Sequence, residues 1–191
     1  EMMDKIILDC TKENKTQLKN RFFVEGDPAA ILMLEVKSNT EDDLNHQINS
    51  LLDSIIESGL SYSNPVLKGD EIKQALELRK AGLGLLGNII GDKKAVACIE
   101  DTAVALQDLP PFIKEFTAIM THYNQDAVYY AHAGAGELHL RPILNLKKKA
   151  DVVLFRKITT DVATLTKKYN GSFSGEHGDG IVRAEFIPLM I

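Results

Sequence analysis

The stretch AVYYAHAGAGELHLRPIL, Ala127 to Leu144, holds two β-prone apolar runs on either side of a glycine-rich segment. It predicts a strand at 127–133, a tight turn and a second strand at 138–143. So short a connection excludes a crossover, and the two strands must be antiparallel. Upstream, AAILMLEV (Ala29–Val36) reads as a strand after the turn-prone GDP. TEDDLNHQINSLLDSIIES then places Leu44, Ile48, Leu51, Leu52, Ile55 and Ile56 on one helical face, with Thr40 and Asp43 as a capping pair and Gly59 as a stop. YSNPVLK reads as a short edge strand, because Pro65 cannot donate to a ladder. DEIKQALELRK is a helix and KAVACIED a strand. LPPFIKEFTAIMTHY is a helix with Pro in its first turn, and ADVVLFRKITTDVATLTKKY is a long helix downstream of the hairpin. The order strand–helix–strand–helix–strand–helix–strand–strand–helix favours an α+β fold, a mostly antiparallel sheet with helices packed on one face.

Composition narrows the function classes. The 191 residues carry 22 basic and 27 acidic side chains, a net charge of −5 that gives no support to nucleic acid as a partner. At 45% hydrophobic the chain can bury a real core, yet its apolar runs fall far short of the roughly 20 residues needed to span a bilayer. No signal segment is visible. Cys10 and Cys98 suit reduced thiols that pack as small apolar residues in a cytoplasmic protein. The chain opens on EMMDKIILDC, apolar-periodic without a start signal, and stops at EFIPLMI on apolar residues that want a partner surface. Residues 1–191 are therefore expected to be one domain cut from a longer polypeptide.

GLGLLG, Gly82 to Gly87, matches a dinucleotide-binding pattern, with Glu100 and Asp101 about twenty residues on. That pattern needs a strand before the glycines and a helix opening after them. Here a helical segment precedes them, and a glycine-rich helix exit is the better reading.

The histidines carry more. His46 falls on a polar helix face and His122 near a helix end, and neither is assigned a role. His132 and His139 flank AGAGEL. With a four-residue loop from Gly134 to Glu137, Ala133 faces Leu138 and His132 faces His139. Directly opposed side chains share a sheet face, with Cβ atoms about 4.5–5.5 Å apart, so the two imidazoles can share one metal ion. The third ligand is sought in GSFSGEHGDG, Gly171 to Gly180, where glycines let side chains approach a ligand closely. Glu176 is the candidate. Two His and one carboxylate leave coordination positions open, as in catalytic zinc and non-haem iron sites. The competing reading is a His pair on a solvated face beside an unrelated glycine turn.

Taken together, HAGAGELHLRP (His132–Pro142) and GSFSGEHGDGIVR (Gly171–Arg183) resemble the C-terminal, cap-domain half of FAD-linked oxidases of the vanillyl-alcohol-oxidase superfamily. The relevant branch contains glycolate oxidase, D-lactate dehydrogenase and D-2-hydroxyglutarate dehydrogenase. LRKAGLGLLGNI and CIEDTAV are similar to the variant in large bacterial fusions of a flavin domain with an iron–sulfur domain. The resemblance covers roughly residues 20 to 191. It implies a ferredoxin-like cap that closes over a flavin held by a separate N-terminal FAD-binding domain. It also implies a divalent metal on His132, His139 and Glu176, commonly zinc, although the donor set suits iron and manganese as well. His177 matches the base that takes the substrate hydroxyl proton. Arg79 matches the residue that grips the substrate carboxylate, and spacing permits Lys94 as a further substrate-binding residue. Asp179 and Arg183 are expected to brace the loop.

The function so implied is the substrate- and metal-binding cap of an FAD-dependent dehydrogenase. Its substrate is a small D-2-hydroxy acid of the D-lactate, glycolate or D-2-hydroxyglutarate type, and the isolated chain is expected to be inactive. The expected location is cytoplasmic, or peripheral at the inner membrane. Two other readings keep the same motifs: a metal-binding or interaction module without oxidase chemistry, and a stand-alone metal hydrolase using His132, His139 and Glu176.

Overall fold

A computed structural model describes residues 1–191. The strands are β1 (Met2–Asp4), β2 (Ala30–Leu32), β3 (Lys94–Ala95), β4 (Ile99–Ala103), β5 (Ala127–His132) and β6 (Glu137–Leu144). The helices are α1 (Lys5–Lys12), α2 (Lys15–Leu18), α3 (Glu41–Ser58), α4 (Asp70–Leu85), α5 (Leu109–His122), α6 (Lys149–Lys168), α7 (Gly180–Arg183) and α8 (Ile187–Met190). Every strand pairing is antiparallel, in the order β2-β1-β5-β6-β3, with β4 also on β6. The α+β class and the antiparallel sheet are as the sequence implies.

The β5–β6 hairpin is the centre of this sheet, and its register differs from the expected one. Ala133–Ala135 form a single 3-10 turn closed by Gly136 at φ 75. His132 therefore pairs with Glu137, and His139 pairs with Tyr130. The loop sits one residue earlier than expected, which slips the pairing by two. Side chains alternate with a period of two, so a slip of two leaves His132 and His139 on the same face. Gly136 is required twice over: its φ is left-handed, and a Cβ there would lie 2.1 Å from the Val104 carbonyl oxygen.

Alternation gives the hairpin two different faces. Ala127, Ala131, Leu138, Leu140 and Leu144 face the main core, beneath Phe112, Phe116 and Met120 of α5 and Ile158 and Val162 of α6. On the opposite face Val128 and Tyr130 pack with Met3, Ile7, Leu8, Leu78 and Leu86. The larger helical layer thus lies on one face. A smaller layer of α1 and α4 covers part of the other, and His132, Glu137, His139 and Arg141 share that second face.

Several local expectations change. EMMDKIILDC is a strand that switches directly into a helix at Asp4, whose carboxylate accepts the Ile7 N–H at 3.1 Å and the Tyr129 N–H at 2.7 Å. That acid is the start signal the pattern of apolar residues hid. Ala29–Val36 pairs only over Ala30–Leu32, and YSNPVLK forms no strand. KAVACIED is divided into β3 and the start of β4. α4 runs through Gly82 and Gly84 instead of ending before them. Gly82 lets α1 approach, since a Cβ there would stand 2.5 Å from Ile7 Cγ2. Cys10 and Cys98 are unpaired, and burial pushes the Cys98 thiol up to about 11.

Gly136→Ala should destabilise the chain by about 2–4 kcal/mol, because it combines a left-handed backbone with a clash against main chain. Urea unfolding of the two proteins measures this; equal midpoints would contradict the turn geometry.

Candidate metal and substrate site

The site is assembled from three strands and one loop. β5 supplies His132, β6 supplies Glu137 and His139, and β4 supplies Glu100 opposite His139. The loop Gly171–Asp179 is stitched to the end of β4 by reciprocal Ala103–Ser172 hydrogen bonds of 2.9 Å and by Gly175 N–H on the Asp101 carbonyl at 2.6 Å. Phe173 anchors it in the core at 1% exposure. Arg183 braces it from below, donating to the Gly178 carbonyl at 2.7 Å and the Phe173 carbonyl at 3.3 Å. Asp179, also expected to brace the loop, makes no side-chain cap bond. Asp101 of β4 takes that part instead.

This brings the expected residues together. Glu176 Oε1 lies 3.7 Å from His132 Nε2 and 4.0 Å from His139 Nε2. The donor atoms of His132, His139 and Glu176 all fall within 4.8 Å of one another. His177 joins them, with Nε2 3.4 Å from Glu176 Oε1 and its ring stacked on His139 at 5.4 Å. Arg79 stands at the edge, its guanidinium 3.7 Å over the Tyr130 ring and its Nη2 3.4 Å from His132 Nδ1.

Lys94 is not brought in. It pairs with Leu144, five residues along β6 from His139, or ~17 Å along the strand. Its ammonium donates instead to the carbonyls of Ile89 at 2.6 Å and Gly87 at 3.2 Å.

Carboxylates surround the imidazoles. Glu1 accepts from Arg79 Nε at 2.9 Å and Nη2 at 2.7 Å, and its other oxygen lies 3.0 Å from His132 Nδ1. Burial would raise the Glu1 carboxyl, but Arg79 and His132 outweigh it and hold the group low. The Glu1 contact occupies His132 Nδ1 and turns Nε2 toward Glu176, the arrangement that orients a metal-binding imidazole. Glu100, ion-paired with Arg141, lies 3.8 Å from His139 Nδ1. Burial lowers the His139 pKa, so the ring is neutral near neutral pH and keeps a lone pair for a ligand.

Glu137 and Asp101 form a second pair. Burial, followed by the nearby Asp101 and Glu176 carboxylates, pushes Glu137 up to about 8. At Asp101 burial acts in the same sense, but hydrogen bonds from Glu137, the His177 and Glu176 N–H groups and Ser174 overcome it and bring the group to about 2. One proton therefore sits on Glu137 at neutral pH.

The donor set fits a divalent metal. Glu137 Oε1 is buried without a hydrogen-bond partner and lies 3.8 Å from His139 Nε2, so a group bound at that nitrogen would relieve it. Two imidazoles and a carboxylate are ligands common to zinc, iron and manganese.

Over residues 1–191 the chain matches the family described as FAD linked oxidases, C-terminal domain. It belongs to this family. It is 31% identical over 192 residues to a D-2-hydroxyglutarate dehydrogenase of Haemophilus influenzae, covering 95% of this chain and 19% of that protein. It is 38% identical over 117 residues to the Escherichia coli D-2-hydroxyglutarate dehydrogenase, covering 61% of this chain and 11% of that protein. The glycolate oxidase GlcD protein of Bacillus subtilis is 22% identical over 141 residues, covering 73% of this chain and 29% of the relative. The chain thus spans less than a third of the length of each of these relatives. No helix is long and apolar enough to cross a membrane.

Four acids of the site escaped the sequence-based expectation: Glu1, Glu100, Asp101 and Glu137. A signal was present for three of them. Glu137 lies two residues before His139, hence on its face, and the adjacent acids in CIEDTAV must face opposite sides of their strand, so at least one of them points into the fold.

In the metal-free chain, Glu137 stays protonated when folded up to about 8, against an ordinary value of 4.5. The folded state binds more protons within that window, so stability is full below it and falls as pH rises through it. Glu137→Gln should flatten this fall, measured as urea midpoints between about pH 5 and about pH 9. An identical decline in both proteins would contradict the raised pKa.

Proposed function

We propose that this chain is the substrate- and metal-binding cap domain of an FAD-dependent dehydrogenase that oxidises a D-2-hydroxy acid to the 2-oxo acid. The observation that carries it is the convergence of His132, His139 and Glu176 donor atoms within 4.8 Å, with His177 and Arg79 at the same place. The family and the D-2-hydroxyglutarate dehydrogenases among its relatives support the substrate class. The relatives' much greater length leaves room for an N-terminal FAD-binding domain and an iron–sulfur domain in the same polypeptide.

His132, His139 and Glu176 hold a divalent metal, with zinc the first choice and iron and manganese compatible. When bound, the metal supplies Lewis acidity toward the substrate oxygen, and the flavin supplies the hydride acceptor. Arg79 binds the substrate carboxylate. Its Nε and Nη2 are committed to Glu1, so Nη1 makes the first contact, and a bidentate grip requires Glu1 to yield. His177 accepts the hydroxyl proton at a ring nitrogen, a task suited to a half-exposed imidazole that solvent can reach. The stacked His139 ring limits the orientations open to it.

A polypeptide carrying this chain with its flavin domain should be yellow and should reduce a dye in the presence of a D-2-hydroxy acid. His177→Ala should lower kcat by about 10²–10⁴-fold. Arg79→Lys should act mainly on KM, since a bidentate carboxylate grip is lost. An unchanged kcat in the His177 variant would remove His177 from the role of base.

A further inference from the structure

Glu176 and His177 are consecutive residues, yet both side chains reach one cluster. We infer that Asp101 is the positioning residue that turns them onto it, an inference that rests on the roles proposed above for those two side chains. Asp101 is fully buried, at 0% exposure. It is the extra residue of a bulge, since Glu100 pairs with His139 and Thr102 with Leu138. Its φ of 81 is left-handed, a conformation that a non-glycine residue keeps only when its surroundings determine it.

Those surroundings are the loop. Asp101 Oδ1 accepts the Glu176 N–H at 2.9 Å, and Oδ2 accepts the His177 N–H at 2.8 Å. Oδ2 also accepts the Ser174 hydroxyl at 2.7 Å and stands 3.6 Å from Arg183 Nη2. The Asp101 carbonyl accepts the Gly175 N–H at 2.6 Å. In an extended segment successive N–H groups point to opposite sides. Here two successive N–H groups converge on one carboxylate, forming a concavity of the kind that binds anions, with Asp101 as its anion. The curl that this imposes at 176–177 sends both side chains to the histidine face of the hairpin.

The bulge gives two neighbouring acids different destinations. Glu100 remains in register and faces His139, while Asp101 swings out to the loop. Asp101 also lies within 4.8 Å of the donor atoms of Glu176 and His177. Both of its oxygens are already occupied by N–H and O–H donors, so it acts through the loop and not as a ligand.

The test uses the 191-residue chain and Asp101→Asn, which keeps the size but sets an NH₂ group against an N–H donor. Amide exchange of Glu176 and His177 should accelerate at least ~10-fold while the amides of the α5–α6 core stay protected. Zinc affinity by titration should fall ~10- to 100-fold, and the visible spectrum of the cobalt complex should change. Should the variant fail to fold, the wild type still decides: scalar couplings should run from the Glu176 and His177 amide nitrogens to the Asp101 carboxylate carbon. Absent couplings, or unchanged exchange at both amides in a folded variant, overturn the assignment. A wild type that binds neither zinc nor cobalt overturns the metal reading alone, and Asp101 is then judged on the amides.

Discussion

The site depends on a buried carboxylate in the middle of a strand. Removing Asp101 from water is costly unless its charge is met by donors. Two main-chain N–H groups, a hydroxyl and the proton of Glu137 meet it, with Arg183 beside it. Each of those donors belongs to a segment that must therefore stay close, so one desolvated charge joins β4, β6 and the Gly171–Gly180 loop. The glycines permit this closeness. A Cβ at Gly171 would stand 2.5 Å from the Ala103 carbonyl oxygen, so the stitch between loop and strand needs a residue without one.

The hairpin behind the loop joins stability to chemistry through alternation. The face that carries Leu138 and Leu140 is sealed beneath α5 and α6, which holds the opposite face still. Side chains placed on such a strand vary little in position, and that is what a ligand set needs. The electrostatics are consistent with a cation. Glu1, Glu100, Asp101, Glu137 and Glu176 surround the imidazoles, and Arg79 and Arg141 each pair with one of these acids. With Glu137 protonated and Arg183 beside Asp101, four acids stand against three arginines, so an anionic substrate meets one negative charge in excess, which a divalent ion on the histidines would reverse.

Much of this was legible in the sequence because it depends on local pattern. Alternation and the glycine turn identify the hairpin and place His132 and His139 on one face, and the two-residue slip in register costs nothing because the period is two. The glycine loop pointed to Glu176, and the resemblance to FAD-linked oxidases added His177. What stayed hidden depends on partners distant in the chain. The bulge at Asp101 is set by the loop some 75 residues later, with which it shares its hydrogen bonds. Glu1 meets Arg79 across 78 residues. Lys94 looked suitable by spacing, but β3 joins the far end of β6, which chain distance does not reveal. The first helix was missed because the strand-to-helix switch at Asp4 uses neither Gly nor Pro.

The most direct measurement of the central claim is anomalous diffraction at the zinc edge from crystals of the chain grown with one equivalent of zinc. A single peak bounded by His132 Nε2, His139 Nε2 and the Glu176 carboxylate, with the Asp101 carboxylate holding the loop outside the coordination sphere, is the predicted result. A zinc ion on Cys10, Cys98 or the surface acids, with the His132–His139 face empty, would contradict it.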